Sequence, residues 1–79
     1  MEPKHYKAKH YKKFIQIGLN IMRYRKEQGL TQEQLGEMAG YSRNQIQRVE
    51  TAASAPSLAM LFDISESLHV SVERLIEIR

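Results

Sequence analysis

The sequence predicts a small all-α domain built from five helices, and three observations carry this prediction. The chain has 79 residues, of which 42% are hydrophobic, which is enough for one packed core. Only two prolines and four glycines interrupt it, and no alternating apolar run is bounded by hairpin turns. Apolar residues instead recur at steps of three and four, which is the spacing of a helical stripe.

The chain is predicted to begin with a flexible basic arm over residues 1–12, followed by a domain over residues 13–79. The arm holds Pro3 and two copies of KHYK, a composition that argues against a packed element. Residues 1–30 carry eight Lys or Arg and two Glu, whereas residues 31–79 carry four Arg and seven Asp or Glu. This asymmetry favours a polyanionic partner, and a solvated lysine tail is the alternative.

Helices one to three are predicted from their apolar stripes and from the residues that cap them. The first is predicted from about Tyr11 to Gln28, and Gly29 suits its left-handed end. Its inner stripe is Phe14, Ile17, Ile21 and Tyr24. The second begins at a capping box and ends at Gly40, and the third begins at a similar box. These boxes pair Thr31 with Gln34 and Ser42 with Gln45, and the residues of helix two expected to face inward are Leu35, Met38 and Ala39.

Two further helices complete the predicted fold. Pro56 and Ser57 mark the start of helix four, and Ser71 caps a short helix five that contains Leu75. The expected inner stripe of helix four is Leu58, Leu61, Ile64 and Leu68. Met60 and Phe62 lie outside this stripe and are expected to be exposed.

The segment 31–50 has the spacing of a helix-turn-helix. Two short helices can cross steeply only if a small residue lies at their contact and the turn tolerates a positive φ. Gly36 and Gly40 meet these two demands, and Ile46 and Val49 supply apolar anchors one turn apart on the second helix. The remaining residues of that helix are polar, so a wide face is available for contacts.

The sequence gives little support for metal binding, catalysis or membrane association. There is no cysteine, and the three histidines, His5, His10 and His69, lack the spacing of a zinc site. No serine, histidine and aspartate set is indicated, so we expect no enzyme, no cofactor, no metal and no small-molecule ligand. No apolar run could span a bilayer, and the basic start does not resemble a signal peptide, so no membrane partner is expected.

The segment RKEQGLTQEQLGEMAGYSRNQIQRVE, followed by PSL, resembles the Cro/CI-type (Xre) transcriptional regulators. The resemblance runs from about Ile17 to Ile76 and implies a compact five-helix lambda-repressor-like domain. It also implies a cytoplasmic, bacterial or phage regulator that binds double-stranded DNA in a sequence-specific way. The alternative is a protein-interaction module of the same fold, such as an antitoxin or an adaptor.

The resemblance also assigns roles to individual residues. Those expected to read base edges from the exposed face of helix three are Arg43, Asn44, Gln47 and Arg48, whose side-chain types suit guanine and adenine. Those expected at the DNA backbone are Gln32, Thr31, Ser42, Lys12 and Lys13. Arg25 and Glu50 match an ion pair that joins helix one to the end of helix three.

Two features near the end of the chain complete the expectations. In the loop 51–55, Ala52 occupies a position where the family often has glycine, and the usual Lys or Arg residues are missing. A homodimer is expected through the C-terminal part, because a short last helix cannot bury all of its apolar residues. Its predicted interface is Phe62, Val72, Ile76 and Ile78, and a dimer would read two half-sites about 34 Å apart.

Overall fold

The computed structural model describes the backbone of residues 3–78 and the side chains of residues 9–78. Within this range the chain forms five helices and no strand, as the sequence predicts. The helices are α1 (Pro3–Glu27), α2 (Gln32–Ala39), α3 (Arg43–Glu50), α4 (Leu58–Leu68) and α5 (Val72–Leu75). None of them is both long and apolar enough to cross a membrane.

Helix α1 begins earlier than the apolar stripe predicts. It starts at Pro3 rather than near Tyr11, so the irregular conformation expected for residues 3–12 is corrected. A proline suits the first position of a helix because its fixed φ is helical and its missing N–H has no partner there. The lysine side chains before residue 9 lie outside the described residues. The division of the chain into an arm and a domain therefore stays a prediction.

The core lies where all five helices meet. Helix α3 packs against α1 and α2, α4 covers α1 and α2, and α5 closes the core against α1 and α4. Every helix contributes at least one side chain that is completely buried: Ile21, Leu35, Ile46, Ile64, Leu68 and Leu75. Burying one such side chain is worth about 1.5–3 kcal/mol, so the core holds α3 firmly on one side.

Three apolar residues lie on the opposite side from the one predicted. Met38 and Leu58 were expected inside but are 53% and 62% exposed, whereas Met60 was expected outside and is 6% exposed. The inner face of α4 contains Met60, one turn before Ile64, so its centre is rotated away from Leu58. The buried residues of α4 do recur at steps of three and four, as predicted. That spacing alone does not decide which of two neighbouring stripes faces the core.

Candidate nucleic-acid interface

The starts of α2 and α3 are built in the same way. Thr31 Oγ1 accepts a hydrogen bond from Gln34 N at 3.0 Å, and Gln34 Oε1 accepts one from Thr31 N at 2.9 Å. Ser42 and Gln45 form the same pair of bonds at 3.1 and 2.8 Å. Each box fixes its helix start and leaves the cap hydroxyl hydrogen and the first helical N–H groups available to donate outward.

The crossing of α2 and α3 depends on two glycines. A Cβ atom on Gly36 would lie 2.4 Å from Tyr41 O, so only glycine allows this approach. Gly40 has a φ of 87°, in the left-handed region, and its N–H donates to Gly36 O at 2.8 Å. The helix-turn-helix predicted for residues 31–50 is therefore present, with both glycines in the expected roles.

A side-chain bond ties the turn between these helices to α4. Tyr41 Oη donates to Asp63 Oδ2 at 2.6 Å. This bond, together with partial burial and the charge of Asp63, raises the pKa of Tyr41 above its ordinary value of 10.0. The turn that precedes α3 is thus anchored to α4.

Helix α3 has one buried face and one exposed face. Ile46, Val49 and Glu50 are between 0% and 4% exposed and point into the domain. Arg43, Asn44 and Gln47 are exposed, and no described residue forms a hydrogen bond or an ion pair with their side chains. Three of the four residues expected to read bases are therefore free to contact a ligand.

The fourth of these residues, Arg48, is exposed but engaged. Its Nε donates to Ser54 Oγ at 2.9 Å, and its Nη2 donates to Ala53 O at 3.4 Å. The guanidinium of Arg48 therefore points toward the loop after α3 and not in the same direction as the side chain of Arg43.

The predicted ion pair between α1 and the end of α3 is present as a buried network. Arg25 Nε and Nη2 donate to the two carboxylate oxygens of Glu50 at 2.6 and 3.0 Å. Arg25 Nη1 donates to Leu30 O at 2.7 Å. Gln32 Nε2 donates to Glu50 Oε1 at 3.0 Å, which fixes the side chain expected at a phosphate. Every described buried side-chain polar atom has a partner.

One residue that positions α3 escaped the sequence analysis. A Cβ atom on Gly18 would lie 2.5 Å from Glu50 O and 2.6 Å from Val49 O, so α1 approaches the end of α3 closely. The signal was an isolated glycine inside the apolar stripe of helix one, which often has a packing reason.

The loop after α3 adopts the conformation that a glycine would favour. Ala52 has a φ of 62° and is 2% exposed, and its N–H donates to Val49 O at 3.2 Å. The alanine therefore occupies the left-handed position at which the resemblance expects glycine.

The two lysines expected at the DNA backbone and the residues expected at a dimer interface lie outside the helix-turn-helix. Lys12 and Lys13 are exposed on α1. Phe62, Ile76 and Ile78 are 49%, 41% and 53% exposed, and Val72 is partly buried. The end of α5 and the segment after it are held to α1 by two bonds from one buried amide: Asn20 Nδ2 donates to Leu75 O at 2.9 Å and to Glu77 O at 2.8 Å.

Comparison with known proteins agrees with this geometry. A family model described as "Helix-turn-helix" matches residues 21–75. An uncharacterized HTH-type transcriptional regulator of Sinorhizobium fredii is 33% identical over 55 residues, which cover 70% of this chain and 71% of that protein.

Two solved structures have a similar fold. The restriction-modification controller protein C.AhdI from Aeromonas hydrophila superposes with a TM-score of 0.77 at 24% identity, covering 78% of this chain and 94% of its own. The P22 c2 repressor, solved in complex with synthetic operator 9T, gives a TM-score of 0.73 at 30% identity, covering 77% and 92%. Since the family model spans most of the chain and a curated relative agrees with it, the protein belongs to the Cro/CI-type (Xre) helix-turn-helix family of transcriptional regulators.

Proposed function

We propose that the protein regulates transcription by placing α3 in the major groove of double-stranded DNA. The observation that carries this proposal is the exposed face of α3, where Arg43, Asn44 and Gln47 have no partner among the described residues. The opposite face of the same helix is locked into the core. A major groove admits one α-helix, and a helix fixed on one side presents its other side at a constant angle.

The side chains on this face match the edges of the bases. An arginine can donate two bonds to guanine, and asparagine or glutamine can make a bidentate contact with adenine. Arg43 and Asn44 lie in the first turn of α3, and Gln47 lies one turn later on the same side. These three residues are proposed to read sequence.

The DNA backbone is proposed to meet the starts of α2 and α3. The hydroxyl groups of Thr31 and Ser42 and the free helical N–H groups next to them are donors suited to phosphate oxygens. Gln32 keeps a second amide hydrogen after its bond to Glu50. The P22 c2 repressor shares this fold and was solved with a synthetic operator, which supports DNA as the partner.

Lysines of α1 are proposed to add affinity that does not depend on sequence. Lys12 and Lys13 are exposed and lie in the part of the chain that carries the excess of positive charge. Neutralising phosphates releases counterions, so this contribution weakens as salt rises.

The acting form is proposed to be a homodimer in the cytoplasm. Phe62, Ile76 and Ile78 remain exposed although they are large and apolar, and Val72 lies on α5, one turn before Ile76. A two-fold dimer would double the site that one domain reads, with half-sites about 34 Å apart. Light scattering at micromolar concentration tests this, and a monomer mass that does not change with concentration would contradict a dimer free in solution.

The central experiment is selection of bound sequences from a random DNA pool at fixed salt, with the unmodified protein and two variants. Arg43→Ala is expected to lose about 1–3 kcal/mol at one base position and to relax the preference there. Arg23→Ala is the matched control, because it removes the same charge from the exposed face of α1.

Each outcome of the selection decides between stated alternatives. A uniform loss on all sequences by Arg43→Ala would assign that residue to a phosphate. If the unmodified protein shows no salt-dependent binding to any DNA, the proposal is wrong and a protein partner becomes the better reading.

A further inference from the structure

Arg48 is bound to Ala53 and Ser54, in the loop after α3, by three hydrogen bonds. Its Nε donates to Ser54 Oγ, its Nη2 donates to Ala53 O, and its own carbonyl oxygen accepts from Ser54 N at 3.0 Å. One residue of α3 therefore holds two consecutive loop residues through both its side chain and its backbone. We call these three bonds the Arg48 clasp.

Arg48 lies at the edge of the exposed face of α3. Successive residues of a helix are rotated by about 100°, so Arg48 lies about 140° from Arg43 and about 100° from Gln47, and about 40° from Asn44. On that side there is an open cleft of about 290 Å³ between α3 and the start of α4, lined by Arg48, Ser54 and Met60 among others.

The second half of the loop runs beside the open cleft. Ala52 is buried and anchors the first half. Ser54 and Ala55 line the open cleft, and the side chains of residues 53–55 are small. The Arg48 clasp joins this half of the loop to α3.

This loop adjoins the face of α3 that is proposed to enter the groove. Thr51, its first residue, follows Gln47 by four positions and Asn44 by seven, so it lies on the same face. Thr51 Oγ1 also donates to Gln47 O at 3.0 Å. A displaced loop would therefore alter how closely this face approaches DNA.

We infer that Arg48 is a positioning residue for DNA binding, which sets the loop 51–55 beside α3, and not a residue that reads a base. The inference rests on the proposed DNA binding of α3. It predicts that breaking the clasp lowers affinity for every sequence by a similar factor. A base-reading role predicts a changed preference at one position.

The test compares Arg48→Ala, Ser54→Ala and the double variant in affinity and in base preference at one salt concentration. Each single variant is expected to bind about three- to tenfold more weakly, which is the range for one or two lost hydrogen bonds. The double variant is expected to be about as weak as Arg48→Ala, because both changes remove one interaction. All three are expected to keep the base preference of the unmodified protein.

Ser54→Ala is the decisive variant, because it keeps the charge of Arg48 and removes the shorter of its two side-chain bonds to the loop. Unchanged affinity in Ser54→Ala with an altered preference at one base in Arg48→Ala would overturn the inference. Additive losses or unchanged affinity in both single variants would overturn it as well. Thermal denaturation of each variant checks that the measured protein is folded. Arg43→Ala in the same assay is expected to change preference, so failure of the proposed function is distinguished from failure of this inference.

Discussion

The two ends of α3 are held by different kinds of contact. At its N-terminal end, α2 approaches through Gly36, and the Ser42 box closes the helix start. At its C-terminal end, α1 approaches through Gly18, and a buried arginine–carboxylate pair crosses between Arg25 and Glu50. Both ends thus use a glycine for close approach, but only the C-terminal end adds a buried charge pair.

This difference shows how one short helix is oriented in the domain. A helix of eight residues has little stability of its own, so the orientation of α3 depends on the contacts at its two ends. The contacts at the N-terminal end come from residues within the helix-turn-helix. The contacts at the C-terminal end come from a helix about 25 positions earlier in the chain, since the ion pair joins Arg25 to Glu50.

The largest effect is expected from breaking the charge pair at the C-terminal end. Glu50→Ala leaves the Arg25 guanidinium buried without its carboxylate, which should lower the free energy of unfolding by about 3–5 kcal/mol. Glu27→Ala is the control, because it breaks the exposed pair with Arg23 and should cost about 0–1 kcal/mol. Urea denaturation measures both, and similar small losses in the two variants would contradict the importance of the buried pair.

A smaller but substantial effect is expected from filling either glycine contact. Gly18→Ala and Gly36→Ala place a methyl group within 2.5 and 2.4 Å of backbone oxygens, which must then move apart. Overpacking of this kind costs about 1–3 kcal/mol or more, and we expect similar losses at the two ends of α3.

Gly29→Ala provides the matched control for these two variants. Nothing lies within 4 Å of a Cβ at this position, so only its φ of +70° opposes the substitution. We expect a loss of about 1 kcal/mol, below that of the other two. If all three variants lose the same amount in urea denaturation, the close approach of the helices would not be what requires glycine.

The contacts within the helix-turn-helix that hold the N-terminal end of α3 were predicted almost completely from the sequence, and those at its C-terminal end only in part. The caps of α2 and α3 and the roles of Gly36 and Gly40 follow from offsets within one motif. The pair of Arg25 with Glu50 came from the family resemblance and not from spacing. Gly18 was missed because an isolated glycine in a helix is a weak signal, and its partner is the backbone of a distant segment.

Other differences have equally specific causes. Helix α1 begins at Pro3, a residue that suits the first helical position, although the apolar stripe begins only at Phe14. Met60 is buried and Leu58 is exposed, the reverse of the prediction, because the spacing alone does not decide which of two adjacent stripes faces the core. The direction of the Arg48 side chain could not be predicted, since it depends on the path of the loop.

At the N-terminal end, alkaline pH offers a way to loosen the anchoring of Tyr41. Its bond to the Asp63 carboxylate needs a protonated phenol, so the pKa of Tyr41 is raised in the folded protein. This contribution to stability is complete below the unfolded pKa and is lost as pH rises through the folded value.

Spectrophotometric titration should therefore show a tyrosine with a raised pKa that disappears in Tyr41→Phe. Tyr11→Phe is the control, because it removes the same hydroxyl group from an exposed position away from Asp63. A raised component that persists in Tyr41→Phe would assign it to another residue.

The smallest effect is expected at Ala52, just beyond the C-terminal end of α3. Ala52→Gly relieves a left-handed conformation that costs an alanine about 1–2 kcal/mol. It also removes a buried methyl group, worth about 0.8 kcal/mol, and frees the unfolded chain by about 0.4–1 kcal/mol. Since these terms nearly cancel, the free energy of unfolding should change by less than about 1 kcal/mol. Ala59→Gly, at an exposed helical position, should lose about 0.5–1 kcal/mol without any such relief. A larger loss at Ala52 than at Ala59 would mean that the loop favours alanine for its packing.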